Sequence, residues 1–154
     1  MTGIVLVHGA WHGAWAWEAL APLLAATGHH VEAVDLPGHG ARAGDPVAGC
    51  TLDAYASTAV EALEWARAAT GAPALLVGHS LGGVTVAAAC EARPDLVAAA
   101  VYLCAYMPRD GESAYGLARL DPESAITAEV CRMRSDEGLL ELLGEQATPG
   151  GQPP

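Results

Sequence analysis

A chain of 154 residues, 52% of them hydrophobic, can form one domain with a modest core and is too apolar to be disordered. Its net charge of −11, the absence of lysine and the scatter of its seven arginines argue against a nucleic-acid partner and against a basic membrane-binding patch. Cys50, Cys90, Cys104 and Cys131 show no C-x-x-C spacing and read as reduced, mostly buried thiols.

In chain order, Ile4-Val5-Leu6-Val7 reads as a short apolar strand over 4–8, ended by His8-Gly9. A helical pattern over 15–27 places Trp17, Leu20 and Leu24 on one face and stops at Gly28. Pro22 conflicts with that helix unless it sits in a first turn or at a kink. A second strand spans 31–35, with His29 and His30 exposed at its start, and a loop rich in glycine covers 38–50. Thr51 can cap a helix running to about Ala69, with Leu52, Tyr55, Ala59, Leu63 and Ala66 on one face and Gly71 and Pro73 beyond it. A third strand spans 74–78, a helix spans 81–93 up to Pro94, and a fourth strand spans 97–104. The continuous apolar runs fit strands buried on both faces, and the β-α-β alternation predicts a parallel sheet of about four strands in an α/β domain. Residues 1–110 form this core. Residues 111–146 read as the start of a helical, cap-like region, with broken helix over 112–135 and a short amphipathic turn or two over 139–143. Residues 147–154 read as a disordered tail. Nothing after the fourth strand has strand character, which leaves that strand an apolar edge and predicts self-association through it.

The chemistry concentrates in Gly78-His79-Ser80-Leu81-Gly82, a G-x-S-x-G pentapeptide set between a strand and a helix. That setting is what a nucleophile elbow needs. The turn forces strained angles on Ser80 and demands small residues two places before and two after it. The helix N-terminus beneath Ser80 favours developing negative charge. The competing reading is a chance Gly/Ser turn, which the flanking strand and helix disfavour.

Three motifs in order, His8-Gly9-Ala10-Trp11-His12-Gly13-Ala14-Trp15, Asp35-Leu36-Pro37-Gly38-His39-Gly40 and Gly78-His79-Ser80-Leu81-Gly82-Gly83, resemble the α/β-hydrolase superfamily. The likeness is to the plant-type methylesterase and hydroxynitrile lyase branch with its bacterial relatives, and it covers residues 3 to about 113. The resemblance implies a partial α/β-hydrolase fold whose strands correspond to the family's third to sixth, in spatial order 4-3-5-6. The first and third strands of this chain would then be neighbours flanking the point where strand order reverses. It implies a cofactor-free serine hydrolase acting on small carboxylic esters, with Ser80 as nucleophile. The N–H groups of Ala10 and Leu81 would form the oxyanion hole, and Gly9, Trp11 and His12 would lie at the substrate pocket. Gly9 favours ester hydrolysis over cyanohydrin cleavage, because the lyases of this branch carry a hydroxyl-bearing residue there. Trp11 reads equally as a pocket wall and as a packing aromatic.

His8 and His12 read as structural hydrogen-bonders, and His79 points away from Ser80 as neighbours on an elbow do. Zinc is not expected, since His8 and His12 have ligand spacing only on a helix and sit in a loop. Gly38-His39-Gly40 lacks the spacing of a dinucleotide fingerprint. No basic region precedes a long apolar stretch at the N-terminus and no run could span a bilayer, so a cytoplasmic protein with no membrane partner is expected. All six histidines precede Ser80. The family's triad order is Ser, acid, His, with acid and histidine on later strands past a cap, so the resemblance implies that this chain lacks the C-terminal part. Asp110 follows the fourth strand, but in this branch the acid comes later. Loss of the histidine can lower kcat on the order of 10⁶-fold. Two readings follow: a serine esterase, weakly active alone, and an inactive remnant serving as a binding or assembly module.

Overall fold

The computed structural model describes residues 1–123, 131–134 and 139–142. Four strands, β1 (Gly3–Val7), β2 (His30–Val34), β3 (Ala74–His79) and β4 (Val97–Leu103), form one sheet in the order β2-β1-β3-β4. Every pairing in it is parallel, with Val7 of β1 beside Val34 on one side and Gly78 on the other. All carboxyl ends therefore lie at one end of the sheet, and the strand order reverses at β1, as the resemblance implies.

Alternation along β1 divides the core. Val5 and Val7 face a layer made by α2 (Leu52–Thr70) and α3 (Gly82–Ala92), where Ala59, Leu63, Ala66, Val86 and Ala89 are fully buried. Ile4 and Leu6 face the other way, onto Trp17 and the partly buried Ala21 and Leu24. That second layer holds a 3-10 turn (Ala14–Trp17) and α1 (Ala21–Ala26). The single helix expected over 15–27 is thus two pieces. Pro22 sits in the first turn of α1, where its missing N–H costs nothing, and Leu20 falls in the break and is exposed.

In α2 the cap is as expected: Thr51 Oγ1 accepts from the Ala54 N–H at 3.2 Å. Gly71 closes the other end at φ 77°, its N–H donating to the Arg67 carbonyl. The buried face is Ala56, Ala59, Leu63 and Ala66, so Ala56 takes the place expected of the exposed Leu52. At the far end of α3, Arg93 binds Glu64 of α2 at 2.6 Å and Asp95 at 2.8 Å on the surface.

Several expectations are corrected. Of the strands, β1 is buried along its whole length, but in β4 Ala98, Ala99, Ala100, Val101 and Leu103 are exposed. Its apolar composition reflects an edge position with β3 alone alongside, not cover on both faces. His29 and His30 are half-buried, with His30 Nε2 at 2.9 Å from Glu32. Cys50 and Cys90 are only partly buried and Cys104, just past the β4 edge, is exposed; all three are free. Beyond the sheet, helix is found among the described residues only in α4 (Ala114–Leu120), capped by Ser113. Segments read there as helical are strands, β5 (Cys131–Arg134) and β6 (Leu139–Leu142), paired antiparallel with Cys131 opposite Leu142. Four residues are too few to separate the helical from the strand period, and pairing with each other decides it. Among the described residues neither strand joins β4. The tail expected over 147–154 lies outside the described residues. No described helix is long and apolar enough to cross a membrane.

Leu63 is fully buried between α2 and the sheet, whereas Trp65 two residues on is 72% exposed. Leu63→Ala should therefore cost about 2–5 kcal/mol in denaturant titration, and Trp65→Ala within about 0.5 kcal/mol.

Candidate active site

The turn between β3 and α3 is where the sheet's carboxyl end becomes crowded. Ser80 sits at φ 53°, a left-handed conformation that costs an ordinary residue energy. Its neighbours hold it there. The Ser80 carbonyl accepts from the N–H of Gly83 and of Tyr106, each at 3.1 Å, and the Ser80 N–H donates to the Leu103 carbonyl at 3.4 Å. The strand–turn–helix also needs its glycines. A Cβ on Gly78 would lie 2.6 Å from the Gly82 carbonyl and from Val86 Cγ2, and one on Gly82 would lie 2.7 Å from the carbonyls of Val7 and His8. A Cβ on Gly83 would overlap the Tyr106 carbonyl.

The loop after β1 comes to the same point. A Cβ on Gly9 would lie 2.9 Å from the Ser80 Cβ and 3.1 Å from His79 Nδ1. Gly9 and Ser80 are thus in contact, with Ala10 and Leu81 each one residue further along. Trp11 turns this loop at φ 60° and is half-buried. His12 Nδ1 donates to the Ala10 carbonyl at 2.6 Å, and its ring lies 5.1 Å from that of Trp15 and 6.1 Å from that of His79.

His8 is fully buried. Its Nδ1 lies 2.7 Å from the Gly9 carbonyl, and its Nε2 accepts the Leu36 N–H at 3.1 Å. An acceptor at Nε2 fixes the neutral ring with its proton on Nδ1. Burial lowers its pKa to about 4, with the nearby His39 and His12 acting in the same direction against the Gly9 hydrogen bond and Asp35. His79 is also lowered, by burial first and by His12 second. Its ring stands edge-on to Trp17, 6.4 Å between centroids. His39 sits 3.1 Å from the Pro37 carbonyl, its ring tilted against that of His8 and edge-on to that of Tyr55, and burial together with Cys50 pushes the Tyr55 hydroxyl up to about 12.

Asp35 explains the rest of two motifs that the sequence left without a job. Its Oδ1 accepts the Ala14 N–H at 2.7 Å, at the start of the 3-10 turn. A Cβ on Gly13 would lie 2.7 Å from that oxygen and 2.6 Å from the Gly40 Cα, and one on Gly40 would overlap the carboxylate. The β1 and β2 exit loops interlock around one acid. The readable signal was a lone Asp between two glycines in separate motifs. A shallow groove between α2 and α3, lined among others by Ser57, Glu61, Glu91 and Arg93, holds no residue of this site.

A family model described as "Alpha/beta hydrolase family" matches residues 4–149. The chain is 44% identical over 108 residues to "Probable esterase PIR7A" of Oryza sativa subsp. indica, covering 70% of this chain and 40% of that protein. It is 39% identical over 136 residues to "Esterase PIR7B" of Oryza sativa subsp. japonica, covering 88% of this chain and 47% of that one. Among solved structures, a methylesterase, MES16, from Arabidopsis superposes with a TM-score of 0.63 at 36% identity, over 73% of this chain and 47% of that one. The chain spans less than half the length of these curated relatives.

Because His8 binds fewer protons folded than unfolded between pH 4 and 6.5, stability is fully present above that window and falls as pH drops through it. The loss should approach about 3 kcal/mol for a shift of this size. Urea titrations at pH 7 and pH 4.5 should show the loss in the wild type and a smaller one in His8→Gln. Equal stability at both pH values would contradict the assignment.

Proposed function

The chain belongs to the alpha/beta hydrolase family, and on that premise we propose that it is built for hydrolysis of small carboxylic esters through Ser80, without a cofactor. The observation that carries this reading is the contact of Gly9 with Ser80 at a left-handed strand-to-helix turn. Ser80 Oγ attacks the ester carbonyl, and the oxyanion forms against the N–H groups of Ala10 and Leu81 at the head of α3. The bond to the leaving alcohol breaks and the alcohol departs with the proton that Ser80 gave up; water then adds to the acyl group, releasing the acid and returning a proton to Ser80 Oγ. Gly9, Trp11 and His12 line the approach. The resemblance of the chain to esterases and a methylesterase supports the substrate class.

The histidines near the turn are already committed. His8, His12 and His39 face backbone carbonyls, and His79 faces Trp17. His29 and His30 sit at the start of β2, the opposite end of the sheet from Ser80. Activation of Ser80 therefore falls to a base other than these, and the 154-residue chain by itself turns esters over near background. The same commitment favours a second reading, a module that holds an ester or acid at Gly9–Trp11 without turning it over. Pairing of one chain with another along the open edge of β4, where Val101 and Leu103 are exposed, belongs to this proposal.

A fluorophosphonate should label Ser80 in the wild type and not in Ser80→Ala. Hydrolysis of a short-chain aryl ester should stay near background, unaffected by chelators, and rise when polypeptide equivalent to the remaining length of the relatives is supplied in cis or in trans. No labelling would select the binding module, and labelling retained in Ser80→Ala would remove the serine mechanism. Sedimentation at rising concentration should show association, and a monomer throughout would remove the pairing.

A further inference from the structure

We propose that His8 is a positioning residue for the Ala10 N–H, which it aims by holding the carbonyl at the other end of the same peptide group. The inference rests on the reading of Ala10 as an oxyanion donor and adds what sets that donor's direction.

The Gly9 carbonyl and the Ala10 N–H belong to one planar unit. No peptide bond among the described residues is cis, so the two point in opposite directions, and whatever fixes one fixes the other. The Gly9 carbonyl is held twice, by His8 Nδ1 at 2.7 Å and by the His12 N–H at 3.4 Å. The shorter bond comes from a fully buried ring, where no water competes. That ring is itself locked, since Nε2 accepts the Leu36 N–H at 3.1 Å and so places the proton on Nδ1. A relay therefore runs from Leu36 at the β2 exit through the imidazole to Gly9, and ends at a peptide N–H next to the residue that touches Ser80. Each bond in such a chain polarises the next, so donation to the Gly9 carbonyl also makes the Ala10 N–H a stronger donor. His12 fixes the following peptide through the Ala10 carbonyl at 2.6 Å, which leaves Ala10 clamped on both sides while Trp11 reverses the chain at φ 60°. A latch between two loops would need only the bond to Leu36. The short bond to Gly9 is the one that a positioning role requires.

Two substitutions separate these roles. His8→Asn keeps an amide N–H near the place of Nδ1 but cannot reach Leu36. His8→Gln can reach Leu36 with its carbonyl but has no donor near Gly9. In the ¹⁵N-labelled full chain, His8→Gln should move the Ala10 amide resonance and leave that of Leu81 in place, while His8→Asn should return Ala10 towards its wild-type position. The rate of fluorophosphonate labelling at Ser80 should fall about 10-fold or more in His8→Gln, short of the roughly 10²–10³ for full loss of a donor, and recover in His8→Asn. The reverse order, or equal effects, would overturn the proposal. So would wild-type imidazole ¹⁵N spectra showing the His8 proton on Nε2, a measurement that needs no variant to fold. If the wild type takes no probe, the esterase reading fails, and the Ala10 resonance and the His8 tautomer still decide this one.

Discussion

Backbone packs directly against backbone at the carboxyl end of β1 and β3. The first turn of α3 lies so close to the end of β1 that a single methyl on Gly82 would strike the carbonyls of Val7 and His8. Gly78 meets the same helix from below, and Gly9 meets Ser80 from the side. Nowhere in this junction is there space for a side chain, and the strained φ of Ser80 is the geometry that lets three chain segments meet there. The left-handed turn is held from outside by the bonds of Leu103, Gly83 and Tyr106, which anchor it to the end of β4 as well as to α3.

Around this contact His8 and Asp35 are given partners, whereas Thr85 Oγ1 of α3 and Trp17 Nε1 are buried without a hydrogen bond. His8 is neutral, fully buried and bonded at both nitrogens. Asp35 caps the 3-10 turn between two glycines. Both side chains join the exit of β1 to the exit of β2, so the loop beside Ser80 is built on two strands instead of hanging from one. Such groups are costly when left unpaired, which makes the interlock of the two loops an all-or-none arrangement.

The elbow and the start of α3 were legible because their glycines answer a steric demand that leaves few alternatives, β1 and β3 because short apolar runs end at turn residues, and α2 because period and caps agree. The split at Pro22 was visible as a conflict, but only the placement of Trp17 beneath Ile4 and Leu6 settles how the chain resolves it. β4 was read as an edge, as it is among the described residues, but its burial was misjudged because an apolar run does not say what covers the faces of a strand. Cys131–Arg134 and Leu139–Leu142 were misread for a related reason: a four-residue strand takes its identity from its partner, which local sequence does not contain. The bonds of His8 to Leu36 and of Asp35 to Ala14 join chain segments far apart in sequence, which motif spacing does not express.

The order of strands also bears on how the molecule comes to exist. β1 lies between β2, which follows it closely in sequence, and β3, which arrives only at Ala74–His79. The contact of Gly9 with Ser80 therefore closes a loop of roughly 70 residues, whose entropy must be surrendered before any contact at the junction offsets it. β1 and β2 pair in parallel across the crossover of residues 8–29, all of it synthesised long before the serine. The junction at Ser80 is thus a long-range contact of this fold, of the kind that forms slowly.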